Sequence, residues 1–495
     1  MLIGYRNMNK YIIALDAGTT SVRAMLYDLE KDAFVFTAQQ EVGQSYPQSG
    51  WVEQDANEIF YKAAYVLNAC ATACTGDIVG IGITNQRETI VLWNKETGEP
   101  VCPAIVWQCR RTAKFCEGIP SDMQGAIKSK TGLLCDAYFS ASKIKWAIDN
   151  VSAVRELLKM GKLCVGTVDS YLLYKLSAGK IFSTDHTNAS RTMLFNIHTL
   201  EWDRELLAYF GIPYEILPEV HPSAYRLGEI PIGGKQVPVA GVAGDQQAAL
   251  YGQACLDEGD AKVTYGTGLF LLFHTGNRCI SSHSGLITTI GYSTEKKVAY
   301  ALEGSAFNAG SAVQWLRDEL GVITTSAESE ALAVSVPDSG GVSFVPAFTG
   351  LGAPHWRGDA RGLLCGLTRG TTRAHVVRAV LESIAFGARE LVECMQSDSG
   401  IRFNEIKCDG GASANGFLMQ FQADVLGLNV NRPAERESTA LGAALLCAYA
   451  LGLRSERDIL RLRRSERVFV PQGDKGYYDA LYAEYERAVR RTLLK

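Results

Sequence analysis

Apolar residues over 11–15 run into the glycine-bearing polar segment Asp16-Ala17-Gly18-Thr19-Thr20-Ser21 and resume over 22–27. The pattern predicts a strand, a tight turn and a second strand. Ile59, Phe60, Ala63, Val66, Leu67 and Cys70 then recur at helical spacing between a capping signature, Asp55 with Glu58, and a stop at Gly76. A strand over 78–83 ends in Thr84-Asn85-Gln86-Arg87-Glu88, and a hairpin of 90–93 with 101–107 follows. Residues 239–252 read as an apolar strand, the polar stop Gly244-Asp245-Gln246-Gln247 and an alanine-rich helix. Residues 262–273 return to the opening design around Tyr265-Gly266-Thr267-Gly268. Beyond Gly304, glycine-rich turns alternate with long helices, a strand over 405–408 leads through 409–415 into a helix, and 477–494 forms a charged terminal helix. Alternating strands and helices predict an α/β protein.

At 495 residues the chain suits two large domains or three small ones. The two Gly-Thr turns lie about half the chain apart, as in a duplicated pair, which sets a boundary near 254 and domains over 1–254 and 255–495. With 49 basic and 53 acidic residues, a formal charge of −4 leaves no electrostatic footprint for nucleic acid or an anionic membrane. Small molecules are the expected partners. The longest apolar stretch, 440–453, is shorter than the ~20 residues a bilayer requires and reads as a buried helix, so no membrane insertion is expected. The opening ten residues show no apolar core or cleavage site, so no secretory signal is expected, and the closing Leu-Leu-Lys is no peroxisomal address. Thirteen cysteines without a CxxC pair or a metal-spaced cluster fit reduced thiols in a cytoplasmic enzyme.

Glycine lets the backbone approach a ligand closely, so two Gly-Thr turns offer N–H groups and hydroxyls to a polyphosphate; each is equally readable as a plain hairpin. No P-loop is present, and 266–271 lacks the last glycine of a dinucleotide fingerprint. A third segment, Asp409-Gly410-Gly411-Ala412-Ser413-Ala414-Asn415, has flat glycines that admit a purine ring. Phosphoryl transfer to an alcohol needs a base, a carboxylate for Mg²⁺ and donors around the phosphates. Asp245, at the end of a strand, suits the base, and Asp16 suits Mg²⁺ held through water; either also suits a cap. Arg87-Glu88 offers a charged donor and acceptor to polyol hydroxyls, while Trp107 and Phe270 offer flat walls or else belong to the core. Arg110 and Arg111 read as a solvated helix start, and the seven histidines as structural.

Seven stretches go further than spacing: 16–23, Asn85-Gln86-Arg87-Glu88-Thr89, Trp107-Gln108-Cys109-Arg110-Arg111-Thr112, Thr187-Asn188-Ala189-Ser190-Arg191-Thr192-Met193-Leu194, Gly244-Asp245-Gln246-Gln247-Ala248-Ala249-Leu250, 344–348 and 439–444. In this order, over nearly the whole chain, they resemble the FGGY carbohydrate kinases. The resemblance implies an actin/hexokinase-type, ribonuclease H-like α/β fold of two related domains around a cleft, using ATP and Mg²⁺. The second and third stretches resemble those of members acting on glycerol, which implies sn-glycerol 3-phosphate as product. By position, it implies that Arg87, Glu88, Tyr138, Asp245 and Gln246 bind the glycerol hydroxyls, with Asp245 as general base and Trp107 and Phe270 packing the carbons. It places Thr19, Thr20, Ser21, Arg23, Thr267, Gly310, Gln314, Gly411 and Asn415 around the nucleotide and implies a homodimer or homotetramer. Ala17, Val22 and 307–310 depart from the family pattern without removing a proposed catalytic group. Segment 231–237 is shorter than the loop with which some relatives grip fructose 1,6-bisphosphate and lacks its arginine, so that feedback is not expected. Two rivals stay open: a kinase of another polyol or a ketose, and a nucleotide-driven binding or assembly protein on the same fold.

Overall fold

The computed structural model describes residues 9–494. Residues 1–8, most of the segment in which a secretory signal was sought, and residue 495 lie outside the described residues. The chain divides into two compact units. One comprises Met1–Ala254, Thr289–Tyr300 and Glu437–Leu462, the other Cys255–Thr288, Ala301–Arg436 and Arg463–Lys495.

The first unit opens with β1 (Lys10–Ala17) and β2 (Ser21–Asp28), the expected strands around the Thr19 turn, followed by β3 (Ala33–Glu41). Helix α1 (Ala56–Ala73) starts at Asp55, whose carboxylate accepts from the Asn57 N–H. Glu58 does not close a capping box; it pairs with Lys62 one turn on. Then come β4 (Asp77–Asn85), β5 (Gly228–Ile232), β6 (Lys235–Gly244) and α2 (Asp245–Gly252). The six strands form one sheet in the order β5-β6-β4-β1-β2-β3. Strands β1 and β6 both run parallel to β4, and the register sets Ala17 and Gly244 each opposite Asn85. Three carboxyl ends therefore lie side by side, the edge at which open α/β sheets present their ligand groups. The hairpin expected over 90–107 is present in reduced form, with Ile90–Asn94 paired to the two-residue strand Ala104–Ile105 at Ile90 and Ile105.

The second unit repeats the strand, turn, strand opening with β7 (Ala261–Tyr265) and β8 (Leu269–His274) around Thr267. The chain continues through β9 (Ile287–Thr294) and β10 (Lys297–Ala306), of which Thr289–Thr294 and Lys297–Tyr300 belong to the first unit, and then through α3 (Gly310–Asp318), α4 (Arg373–Ser399), β11 (Ile406–Asp409), α5 (Gly416–Leu426) and β12 (Val430–Pro433). Helix α6 (Ser438–Ala450) follows, then β13 (Ser465–Phe469) and α7 (Lys475–Leu493). The sheet order is β9-β10-β8-β7-β11-β12-β13. Again two parallel strands end together, with Thr264 of β7 opposite Asp409 of β11.

Helix α6, the buried helix expected from the apolar run, belongs to the first unit and packs against α2 and the sheet. Glycines make this contact close. A Cβ on Gly82 would meet the Ala443 carbonyl oxygen at 2.0 Å, one on Gly442 the Ala248 carbonyl oxygen at 1.8 Å, and one on Gly252 the Ser438 carbonyl oxygen at 2.0 Å. All three clashes are with backbone, which has no rotamer by which to yield. Among the described residues no helix is long and apolar enough to cross a membrane.

Gly442→Ala is expected to destabilise the protein by ~1–3 kcal/mol or more, the cost of overpacking a dense contact. Gly125→Ala, where an added Cβ meets nothing within 4 Å inside helix Ser121–Thr131, is expected to stabilise by ~0.5–1 kcal/mol through lost chain entropy. Urea unfolding midpoints check both, and equal shifts would dismiss the close-approach account.

Candidate active site

The end of β4 carries the charges. Arg87, Glu88 and Arg191 have side chains 2%, 1% and 0% exposed, whereas Asp245 is 32% exposed. Glu88 Oε1 accepts from Arg191 Nε at 2.6 Å and lies 3.7 Å from Arg87 Nε, so one carboxylate serves two guanidiniums. Arg87 Nε in turn lies 3.3 Å from Asp245 Oδ1, its Nη1 donates to Gln247 Oε1 at 3.2 Å and its Nη2 to the Tyr138 hydroxyl at 3.3 Å. Gly244 makes room for this arginine, since a Cβ there would sit 2.6 Å from Arg87 Cγ. Glu88 itself has φ 61, a conformation costing a non-glycine residue ~1–3 kcal/mol and characteristic of sites where the surroundings over-determine the backbone.

Asp245 is the first residue of α2, and its Oδ1 also accepts from the Gln246 N–H at 2.7 Å. Tyr138 stands edge-on to Trp107, ring centroids 5.6 Å apart. Its backbone is fixed from below by Lys143, a wholly buried cation whose Nζ donates to the carbonyls of Tyr138 at 2.6 Å and Ala137 at 3.1 Å. Burial lowers the Lys143 pKa to about 8, with Glu88 opposing the shift.

The Thr19 turn adjoins this cluster. Trp107 Nε1 donates to Thr19 Oγ1 at 3.0 Å, and the Thr19 carbonyl accepts from Gln54 Nε2 at 2.7 Å. Gln54 Oε1 accepts from Gln86 Nε2 at 2.8 Å, and Thr89 bridges back to both Gln86 and the Trp107 N–H. The Gly18 N–H closes the turn on the Ser21 carbonyl at 3.0 Å, leaving Thr20 exposed. Beside it Asp16 is buried and held by Arg23 Nη2 at 2.7 Å, while Arg23 Nη1 reaches Glu437 at 2.7 Å. Burial pushes the Asp16 carboxyl above its usual range, and the Arg23 guanidinium opposes the shift.

The remaining residues named from sequence lie in the second unit, where three chain passages meet. The N–H groups of Ala309 and Ser311 donate to the Thr267 carbonyl at 2.9 and 3.1 Å, and that of Gly310 to the Gly266 carbonyl at 2.9 Å. A Cβ on Gly310 would lie 2.5 Å from that same oxygen, and one on Gly410, at φ 86, 2.5 Å from the Tyr265 carbonyl oxygen. Thr267, Gln314 and Gly411 are exposed around this junction, and Phe270 is half-buried on β8. Asn415 caps α5 by accepting from the Leu418 N–H at 2.9 Å, with Nδ2 on Ser329 Oγ at 3.2 Å.

Among the described residues no group of three or more His, Cys, Asp or Glu is arranged to hold a metal. Asp16, with one oxygen engaged by arginine, fits Mg²⁺ in the form in which that ion commonly binds nucleotides, mostly hydrated and shared with phosphate oxygens.

Several members of the cluster were not anticipated: Arg191, Lys143, Gln247, Gln54 and Gln86. Arg191, Gln247 and Gln86 stand inside the quoted stretches, which was their one signal. Arg111 corrects an expectation, since it is no solvated helix start. Its side chain is 2% exposed, pairs with Glu53 at 2.6 Å and is stacked on Trp51 and Trp146 at 3.8 and 4.5 Å. Arg110 is exposed and pairs with Asp136.

The models for the N-terminal and C-terminal domains of the FGGY family of carbohydrate kinases match residues 11–252 and 261–451. A glycerol kinase of Treponema denticola is 53% identical over 494 residues, covering 98% of this chain and 99% of the relative. One from Pseudomonas savastanoi pv. phaseolicola is 53% identical over 487 residues, covering 97% and 96%. Among solved structures, Plasmodium falciparum glycerol kinase with ADP superposes with a TM-score of 0.93 at 37% identity, covering 98% of this chain and 99% of that one. The α/β fold is the actin/hexokinase type expected from the sequence.

Glu88→Gln leaves two buried guanidiniums sharing a neutral side chain. An unfolding free energy lower by ~3–5 kcal/mol is expected, the scale for breaking a buried pair from one side. A loss below ~1 kcal/mol in urea titrations would show that the cluster does not depend on that charge.

Proposed function

This chain belongs to the FGGY family of carbohydrate kinases, and from that premise we propose that it transfers the terminal phosphoryl group of ATP to glycerol, giving sn-glycerol 3-phosphate and ADP. The observation that carries the reading is the convergence of Arg87, Tyr138 and Asp245 beside the Thr19 turn. Relatives called glycerol kinases, alike over nearly the full length, supply the acceptor.

In this reading Arg87, Glu88, Tyr138 and Gln246 orient the glycerol hydroxyls, and Trp107 with Phe270 flank the carbons. Asp245 accepts the proton of the reacting hydroxyl as its oxygen bonds to the γ-phosphorus in line, while the bond to the β-phosphate oxygen breaks and ADP departs. Because Arg87 grips Asp245 Oδ1, the base is held in place before the alcohol arrives, an instance of positioning as catalysis. Thr19, Thr20, Ser21, Arg23, Thr267, Gly310, Gln314, Gly411 and Asn415 are the proposed nucleotide-binding residues. The acceptor groups thus fall mainly in domain 1–254 and the adenosine groups in 255–495. Asp16 would hold Mg²⁺ through water, and the ion, when bound, neutralises charge on the phosphates. Arg23 then acts by setting the orientation of Asp16.

ADP release measured with Mg-ATP and glycerol, erythritol, D-xylulose, D-gluconate or no acceptor tests the function. Glycerol is expected to give the lowest KM with glycerol 3-phosphate as product; a different preferred acceptor would overturn the substrate, and release indifferent to acceptor would overturn the transfer. Asp245→Asn is expected to lower turnover at least ~10²-fold, the range for a lost general base, while the protein stays folded. Near-wild-type turnover would remove Asp245 from that role.

A further inference from the structure

The stretch Thr187 to Arg191, which the reaction scheme above leaves without a role, is organised by one carboxylate. Asp185 ends the strand Ser183–Asp185 and is 1% exposed. It accepts from the Thr187 N–H at 2.8 Å, Thr187 Oγ1 at 2.7 Å, the Asn188 N–H at 2.9 Å, Asn188 Nδ2 at 2.9 Å and Ser223 Oγ at 2.7 Å. Two of these donors cap the short helix His186–Ala189, as any aspartate at that position would.

The others do more, because the side chains they belong to continue outward. Thr187 Oγ1, having given its proton to Asp185, accepts from the Gly244 N–H at 2.9 Å, the residue immediately before Asp245. Asn188 and Asn85 exchange side-chain amide bonds, at 3.0 and 3.1 Å, and Asn85 stands two residues before Arg87. The same stretch ends in Arg191, paired to Glu88 at 2.6 Å. Thr187, Asn188, Asn85 and Arg191 are all fully buried. A neutral hydroxyl and a neutral amide thus connect one buried anion to the two strand ends that bear the proposed base and the proposed acceptor ligands.

The direction of each bond is set by chemistry. The Gly244 N–H can only donate, so Thr187 Oγ1 must accept there and direct its own proton to an acceptor, which Asp185 supplies. Burial pushes the Asp185 carboxyl up, and the Ser223, Asn188 and Thr187 donors oppose that push. An unrelayed cap would have no reason to be so deeply buried, nor to spend three side-chain donors on one carboxylate.

We infer that Asp185, acting through Thr187 and Asn188, is a positioning residue for phosphoryl transfer: it sets the spacing between the start of helix α2, with Asp245, and the end of strand β4, with Arg87 and Glu88. The inference rests on the reading of Asp245 and Arg87 given above. Displacements near 1 Å are costly in such a site, ~10²-fold in rate.

The test is steady-state kinetics on purified full-length Thr187→Val and Thr187→Ser beside wild type, with Mg-ATP and glycerol varied in turn. Valine keeps the shape and removes both bonds; serine keeps both. Thr187→Val is expected to lose at least tenfold in kcat with the KM for ATP within twofold, and Thr187→Ser to recover to within threefold of wild type. A folded Thr187→Val with kcat and glycerol KM within twofold of wild type overturns the inference, as does a kcat loss that serine does not restore. Should valine not accumulate as folded protein, Ser223→Ala, which removes one of the five donors, is expected to lower kcat at least threefold, and an unchanged kcat overturns the inference instead. Wild type failing on glycerol but active on another acceptor would sink the acceptor assignment alone, and the same comparison is then made with that acceptor.

Discussion

Removing an ion from water costs several kcal/mol even inside a relaxed protein, and the edge of the first unit's sheet removes three of them within a few ångströms. Arg87, Glu88 and Arg191 are nearly without exposure, so the chain is committed to keeping their geometry. The sharing of Glu88 between two guanidiniums compensates part of the cost, and Asp245, at the rim, supplies a second anion for Arg87. Much of the neighbouring structure reads as support for that arrangement. Gly244 clears a path for the arginine stem, Glu88 accepts a strained backbone, and Lys143 is drawn toward its neutral form by burial while it braces the Tyr138 turn.

The phosphate-type turn is tied to the same edge by neutral groups. The ring of bonds from Thr19 through Trp107, Thr89, Gln86 and Gln54 joins a turn between two strands to the aromatic wall beside the charges. Each member makes two hydrogen bonds within the ring, and paired polar networks of this kind rigidify a site. Asp16 and Arg23 extend the edge toward Glu437, the residue before α6. The helix that packs against bare glycine backbone is therefore also the one whose first approach carries an acidic partner for the turn.

The fold was legible where periodicity is local. The strand, turn, strand around Thr19 and its repeat around Thr267 announced themselves because alternating apolar runs and glycine need no distant partner, and the same holds for the apolar run that became α6. The positions of Arg87 and Asp245 at strand ends were readable for the same reason. What the spacing does not carry is pairing across the chain. Arg191 and Glu88 are 103 positions apart, and Asn188 is as far from Asn85. A buried lysine or arginine, such as Lys143 or Arg111, is indistinguishable in sequence from a solvated one, because its burial depends on carbonyls and rings brought in by other elements. The capping box expected at Asp55 and Glu58 gave way to a competing lysine one turn on.

Helix α6 is assigned to the first unit although more than a hundred residues of the second unit are synthesised before it. As the chain leaves the ribosome, the strands β1, β4 and β6 can pair early, but the glycine faces of Gly82, Gly252 and their neighbours have no cover until residue 450 has emerged. Through most of its synthesis the first unit is an incomplete body with exposed apolar sheet surface, a state open to aggregation and to chaperone capture. The order of amino acids along the message thus delays the completion of the unit that is made first.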